Sequence, residues 1–420
     1  MSSILFKSIT LIDSDFTQMT DMYVGVRDSK IDYIGKEYKS GYEREYCGQK
    51  KCLIPAFYNA HAHSPMSFMR GYAENLSLHD WLQNKIFPFE ATLTAEDIYY
   101  SMMLSFAEMI RFGCVSTSDM YYNGASMAKA VLDSGVKSNI SLASTIFNAE
   151  SLKKEYPRLI EEYGTASDRL KIDCSIHAPY TSDPALVEEF SDLACRYNLN
   201  MHIHLSETER ENIECIEKYG ITPTSYFEKG GAFRTPATAA HCVYITDDDI
   251  EILKEHNVTV ATCPASNLKL ASGFCDVKRL IDRGINVALG TDSVAFNNNL
   301  DMFGDMQLFA ILPKGVHKDP IAITPSMALY AATRAGALSQ GRTDCGVISV
   351  GNKADLAVID LNNPHLTPAH DVLNTLVYSA IGSDVVLTMS DGDILYENGE
   401  YKTIDVEKIT AYAENRIKHR

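Results

Sequence analysis

Six residues carry the chemistry open to this chain. His61 and His63 in FYNAHAH, His177 in KIDCSIH, His204 in NMHIHLSE, His241 in TAAHC and Asp292 in VALGTD each close a short strand-like run. Neutral imidazole nitrogens and an ionised carboxylate are the donors a divalent transition metal takes when it activates water. Side chains two apart on a strand point the same way, so His61 and His63 can reach one ion. A pair of strand histidines in a core or facing water would need no such company.

Strand ends collect polar groups at one place only if the strands run together. Strand-like runs at 57–63, 114–119, 138–146, 171–177, 200–206, 237–242, 258–262 and 285–291 are mostly separated by helix-like stretches. This is the pattern of a (β/α)8 TIM-like metallo-barrel, an α/β fold whose site lies at the C-terminal ends of its strands. The helices carry start and stop signals. Thr94 with Asp97 opens TAEDIYYSMMLSFAEMIRF and Gly113 follows its end, Thr246 with Asp249 repeats the motif, and Asp183 caps a helix that begins at Pro184. The two ends of the chain alternate apolar and polar residues instead, at 2–12, 22–36, 354–361 and 384–401, and read as antiparallel strands. Both termini are expected to build one small β-sandwich. The division is then 1–56 for its first part, 57–348 for the barrel and 349–420 for its second part, with TIDVEKITAYAENRIKHR as a terminal amphipathic helix.

Composition narrows the partners. The chain has 420 residues, and 38 basic against 55 acidic residues give a charge of −17, which repels nucleic acid and anionic membrane surfaces. The N-terminus lacks the pattern of an export signal and no apolar run reaches about 18 residues. Ten cysteines without paired spacing, among them Cys174, Cys195 and Cys263 in apolar runs, read as small hydrophobes in a reducing cytoplasm. A small-molecule substrate is the expected partner. His79, His256, His317, His365, His370 and His419 lie in polar surroundings and read as surface residues, and Asp247–Asp249 as the first turn of a helix.

Five long segments, LIPAFYNAHAHSPMSFMRGYAENLSLHDWL, HIHLSETERE, AAHCV, CPASNLKLASG and GTDSVAFNNNLDMF, resemble the amidohydrolase superfamily. Within it they are most similar to the methylthioadenosine/S-adenosylhomocysteine deaminases. The resemblance implies metal ligands at His61, His63, His204 and Asp292. It gives Asp292 a second duty as acceptor of the water's proton, Glu207 the protonation of a purine ring nitrogen, and His241 a hydrogen bond to the attacking oxygen. Glu90 in IFPFE would accept hydrogen bonds from ribose hydroxyls, and His177 would touch purine or ribose. Superfamily members with two metals bridge them with a carboxylated lysine, and His177 stands at that place here. One divalent ion per chain is therefore expected, zinc first, with iron or manganese suited to the same donors. His202 shares a face with His204 and is placed deeper in the wall as a structural residue. Ser206, Ser266, Asn267 and Ser293 flank the mouth and orient side chains or substrate.

One departure bears on specificity. Family members often carry an arginine before a T-L-F stretch, where it pairs with the amino-acid carboxylate of S-adenosylhomocysteine. Here the segment is ASTIF and Ser144 holds that place, with Lys153 and Lys154 nearby. The implied activity is hydrolytic deamination of a 6-aminopurine nucleoside, with methylthioadenosine, 5′-deoxyadenosine and adenosine favoured over S-adenosylhomocysteine. Guanine and pterin deaminases and triazine chlorohydrolases share fold and metal site, and Glu90 with NLKLASG and NNNLDMF favours the nucleoside. A non-catalytic scaffold would have lost ligands that are all present here. Relatives are often homo-oligomers, but no interface stripe stands out.

Overall fold

The computed structural model describes residues 3–76 and 78–418. The N-terminal alternation folds as five strands, β1 (Ile4–Ile12), β2 (Gln18–Arg27), β3 (Lys30–Gly35), β4 (Arg44–Cys47) and β5 (Lys51–Pro55). The stretch at 22–36, read as antiparallel strands, divides between β2 and β3, where the backbone turns at Asp28 with φ +56°. Strands and helices then alternate through β6 (Phe57–Ala62), β7 (Cys114–Tyr121), β8 (Lys137–Leu142), β9 (Leu170–Ile172), β10 (Cys174–Ile176), β11 (Met201–Leu205), β12 (Ala237–His241), β13 (Thr259–Thr262) and β14 (Val287–Leu289). The chain closes with β15 (Leu356–Asp360), β16 (Val385–Ser390), β17 (Asp393–Glu397), β18 (Glu400–Tyr401) and the helix Val406–Lys418. Ser2, His419 and Arg420 lie outside the described residues.

Strands from both ends pair in one nine-stranded sheet, ordered β18-β17-β16-β15-β5-β1-β2-β3 with β4 on β1. β5 is antiparallel to β15 through Cys52↔Ile359 and Leu53↔Val358. Side chains alternate across the sheet. Leu53, Leu356 and Val358 join Phe6 and Val24 in a small core of their own, while Cys52, Ile54, Ala357 and Ile359 face the main core.

The parallel strands form two sheets, β6-β7-β8-β9 and β10-β11-β12-β13-β14. β9 and β10 are one run interrupted at Asp173, so it pairs with β8 on one side and β11 on the other. A bridge between Ser144 and Ile176 extends β8 alongside β10, and one between Ala62 and Asp292 returns the end of β14 to β6. β6, β7 and β8 are buried along their whole length, as strands covered on both faces must be. The helices start as their capping residues direct. Thr94 and Asp97 form a reciprocal capping box ahead of Ala95–Arg111, Thr246 and Asp249 form another ahead of Asp247–Glu255, and Asp183 caps Pro184–Tyr197. Cys174 and Cys263 are buried, whereas Cys195 is exposed on its helix and corrects the reading of it as a core hydrophobe.

A buried ion cluster joins the N-terminal end of β8 to the terminal sheet. Lys137 Nζ lies 2.6 Å from Asp355 Oδ2 and 2.9 Å from Asp391 Oδ1, and the Tyr58 hydroxyl of β6 donates to Asp355. Among the described residues, no helix is long and apolar enough to cross a membrane.

Candidate active site

The C-terminal ends of the parallel strands turn abruptly. Ser206, His241 and Asp292, which follow or end β11, β12 and β14, have φ of +50°, +73° and +62°. Left-handed backbone is uncommon for residues other than glycine, and such strain gathers at functional sites. Here it accompanies a convergence of side chains. Asp292 Oδ1 lies 3.4 Å from His63 Nε2 and 3.6 Å from His61 Nε2, and His204 Nε2 lies 3.2 Å from His63 Nε2.

The outer hydrogen bonds of the imidazoles define what faces the centre. His63 Nδ1 is 2.6 Å from the Met120 carbonyl and His204 Nδ1 is 2.7 Å from the His177 carbonyl. A carbonyl only accepts, so each ring carries its proton on Nδ1 and turns the lone pair of Nε2 inward. His61 Nδ1 sits 2.9 Å from His202 Nε2. His61 Nε2 and Asp292 Oδ1 are buried with no hydrogen-bond partner, while Asp292 Oδ2 accepts from the Ser266 hydroxyl. Burial and the neighbouring imidazoles hold His61 and His204 well below the usual histidine range, in the neutral form a metal requires. Two sets of converging ligand atoms, His61-His63-Asp292 and His61-His204-His241, could hold a divalent ion here, and His61 Nε2 and Asp292 Oδ1 are left without another partner.

Beside that point stand two further titratable groups. His241 Nε2 is 3.8 Å from Glu207 Oε2, and its Nδ1 is 2.9 Å from Asn267 Oδ1. Burial pushes the Glu207 carboxyl up, Asp292 adding and His241 opposing. Burial lowers His241, but the Glu207 and Asp292 carboxylates outweigh it and the net shift is upward. Glu211 supports Glu207 from beneath, its carboxylate oxygens accepting the backbone N–H groups of Ser206 at 2.8 Å and Glu207 at 3.0 Å.

A cavity covers the cluster and is lined by His63, Glu90, His177, His204, Glu207, His241 and Asp292, with Met66, Ile86 and Phe296 among its apolar wall. It continues past Leu82, Phe87 and Tyr180 into a larger outer cleft. Glu90 ends the short helix Phe87–Glu90. Burial pushes its carboxyl up to about 7, the Tyr121 hydroxyl beside it pulling the other way. His177 is fixed by Thr181 Oγ1 at 3.0 Å, and burial holds it down at about 4.

Of the residues expected at the site, Ser144 does not line the cavity. It is buried in the wall, its hydroxyl donating to the Leu142 carbonyl at 3.0 Å, and Ala143 lines the space instead. Among the described lining residues of cavity and cleft, Arg210 is the one lysine or arginine. Lys153 is held outside them by Glu150 and Glu189. His202 has more to do than fill the wall, since it fixes the His61 ring. Glu211 was not singled out from the sequence, although Thr208-Glu-Arg-Glu211 is a capping-box pattern that marks it.

A family model described as the amidohydrolase family matches residues 52–395. The chain belongs to the amidohydrolase family. Among relatives of this amidohydrolase, a 5-methylthioadenosine/S-adenosylhomocysteine deaminase of Dictyoglomus thermophilum is 43% identical over 88% of this chain and 87% of its own. A 5′-deoxyadenosine deaminase of Methanosarcina mazei is 38% identical over 99% and 97%. The crystal structure of an adenosine deaminase from Xanthomonas campestris with bound zinc superimposes with a TM-score of 0.95 at 29% identity, over 99% of both chains. An atrazine chlorohydrolase of Arthrobacter aurescens, with a TM-score of 0.92 at 21% identity, is alike in fold.

Proposed function

We propose that this amidohydrolase is a hydrolytic deaminase of 6-aminopurine nucleosides. The observation that carries the reading is the pairing of Glu207 with His241 beside the unpartnered oxygen of Asp292, in a cavity that Glu90 also lines. The names of the relatives and of the zinc-bound neighbour support it. His61, His63, His204 and Asp292 would hold one divalent ion, with zinc the best candidate from that neighbour. Such an ion acidifies water from a pKa of about 16 to near 7.

The protein's own groups divide the proton work. Asp292, with one oxygen anchored by Ser266, keeps the other free to take a proton from the attacking water. Glu207, raised by burial, keeps a proton to higher pH than an exposed glutamate and can donate it to the ring nitrogen next to the attacked carbon. That donation neutralises charge in the ring as the nucleophile adds. His241 is steered by Asn267 so that Nε2 can hydrogen-bond the incoming oxygen. Glu90 would take the ribose hydroxyls and His177 the purine or ribose.

The Ser144–Ile176 bridge that links the two parallel sheets and the Ala62–Asp292 bridge that returns the strand path to its start support a closed eight-stranded barrel over 57–348. The separate small core of the terminal sheet supports a sandwich over 1–56 and 349–420. A cytoplasmic location follows from the composition argument.

The test is ammonia release from adenosine, methylthioadenosine, 5′-deoxyadenosine, S-adenosylhomocysteine, guanine, a pterin and a chlorotriazine under one set of conditions. Deamination of the nucleosides is expected, with the uncharged ones ahead of S-adenosylhomocysteine by about ten- to a hundredfold in kcat/KM, the size of one missing charge-assisted hydrogen bond. Equal efficiency with S-adenosylhomocysteine would overturn that order and make Arg210 the cation responsible. Release from guanine or the pterin alone would overturn the nucleoside reading.

A further inference from the structure

The segment from β11 into the following helix makes a connection that ordinary helix capping does not need. Thr208 is the N-cap of the helix Glu209–Tyr219, its hydroxyl accepting from the backbone N–H of Glu211. A glutamate at this third helical position usually reaches back to the N–H of the cap itself. Glu211 reaches further. Its two carboxylate oxygens take the N–H groups of Ser206 and Glu207, at 2.8 and 3.0 Å, and the side chain is 3% exposed. Above it, the Ser206 carbonyl accepts the N–H groups of Val243 and Tyr244, just past His241, at 3.0 and 2.9 Å. The left-handed turn at Ser206 is therefore held from both sides, and the glutamate that faces His241 leaves directly from it.

We infer that Glu211 is a positioning residue for the proton-donating Glu207, fixing the backbone from which that carboxyl points at His241 and the substrate. The inference rests on the role proposed above for Glu207. Glu211 does not line the inner cavity; it lies along the outer cleft and holds the turn through its two backbone hydrogen bonds, while its charge also reaches Glu207 and His241. Both of its acceptor oxygens are used. Glu211→Gln keeps size and shape but replaces one acceptor with an NH2 group that faces a backbone N–H, so one of the two anchors is lost.

Hydrogen exchange followed by mass spectrometry tests the physical part without any substrate. In Glu211→Gln, the amides of the 205–210 segment should exchange at least about tenfold faster while the strands β6 and β12 keep their protection. Unchanged exchange in that segment would overturn the inference. The functional part is a double-mutant cycle on ammonia release. Glu211→Gln alone should lower kcat about ten- to a hundredfold with KM changed less than about threefold, whereas in a Glu207→Gln background it should cost less than about threefold more. Losses that simply multiply would show that Glu211 acts on something other than Glu207. If Glu211→Gln does not fold, Glu211→Asp takes its place in both measurements, keeping the charge but falling one methylene short, with the same outcomes deciding. Wild-type protein that releases no ammonia defeats the deaminase reading alone, because the exchange result still decides whether Glu211 holds the turn.

Discussion

Burial that pushes the Glu90 carboxyl up to about 7 makes stability depend on pH in a definite direction. Unfolded, this group titrates near 4.3, so between that value and about 7 the folded chain holds the proton the unfolded chain has lost. The contribution is fully present below the lower value and is lost as pH rises through the upper one. Glu90→Gln should therefore raise the melting temperature relative to wild type at pH 8 and lose that advantage near pH 5. The same substitution should raise KM for nucleosides about tenfold or more, because a charged acceptor for ribose is gone. An unchanged KM would remove Glu90 from the ribose. At this scale the sequence is informative where residue types are rare and placed at strand ends, as with His61, His63, His204 and Asp292. It does not say which contact sets a role: that His202 fixes the ring of His61 and that Asn267 steers His241 is visible only in three dimensions, and Glu211 went unread although its capping-box spacing marks it.

Elements act on the site through how closely they approach. Gly290 sits between β14 and the strained Asp292, and a Cβ there would lie 2.9 Å from His61 Cβ and 3.0 Å from both His61 N and Cys263 Sγ. Those atoms belong to His61 of β6 and to Cys263 just past β13, and His61 is one of the proposed metal ligands, so making room means moving it. Wild-type protein should carry about one transition metal per chain by elemental analysis. Gly290→Ala should carry less than half of that while keeping its far-UV dichroism, since displacement of about 1 Å at a site is enough to disable it. Full metal content in the variant would show that β6 is free to shift. Element positions were largely legible, because runs of strand length separated by capped helices leave few alternatives. The inward or outward direction of a residue was not. A strand buried on both faces carries no alternation to say which side meets the centre, and so Ser144 was placed at the cavity that Ala143 lines. The break at Asp173 was hidden for the related reason that each strand's partner is chosen in three dimensions.

The whole molecule depends on contacts between its two ends. Lys137, buried at the start of β8, neutralises Asp355 and Asp391 of the terminal sheet. Lys137→Met would leave two carboxylates short of their main counter-charge and should destabilise the protein by about 3–5 kcal/mol in urea unfolding. KM should be unaltered in the folded fraction, because the cavity is built at the other ends of the strands. A loss under about 1 kcal/mol would mean that Lys353 and Arg169, which also reach Asp391, suffice. The shared sheet has a further consequence during synthesis. Tyr58 and its partner Asp355 are 297 positions apart, and β5 lies beside β15 in the finished sheet. At about 5–20 residues per second, an emerging chain carries an unmated β5 edge and a half-formed ion cluster for roughly 15–60 seconds before the ribosome delivers the matching strand. For that interval the N-terminal strands present an open edge that the finished sheet will close.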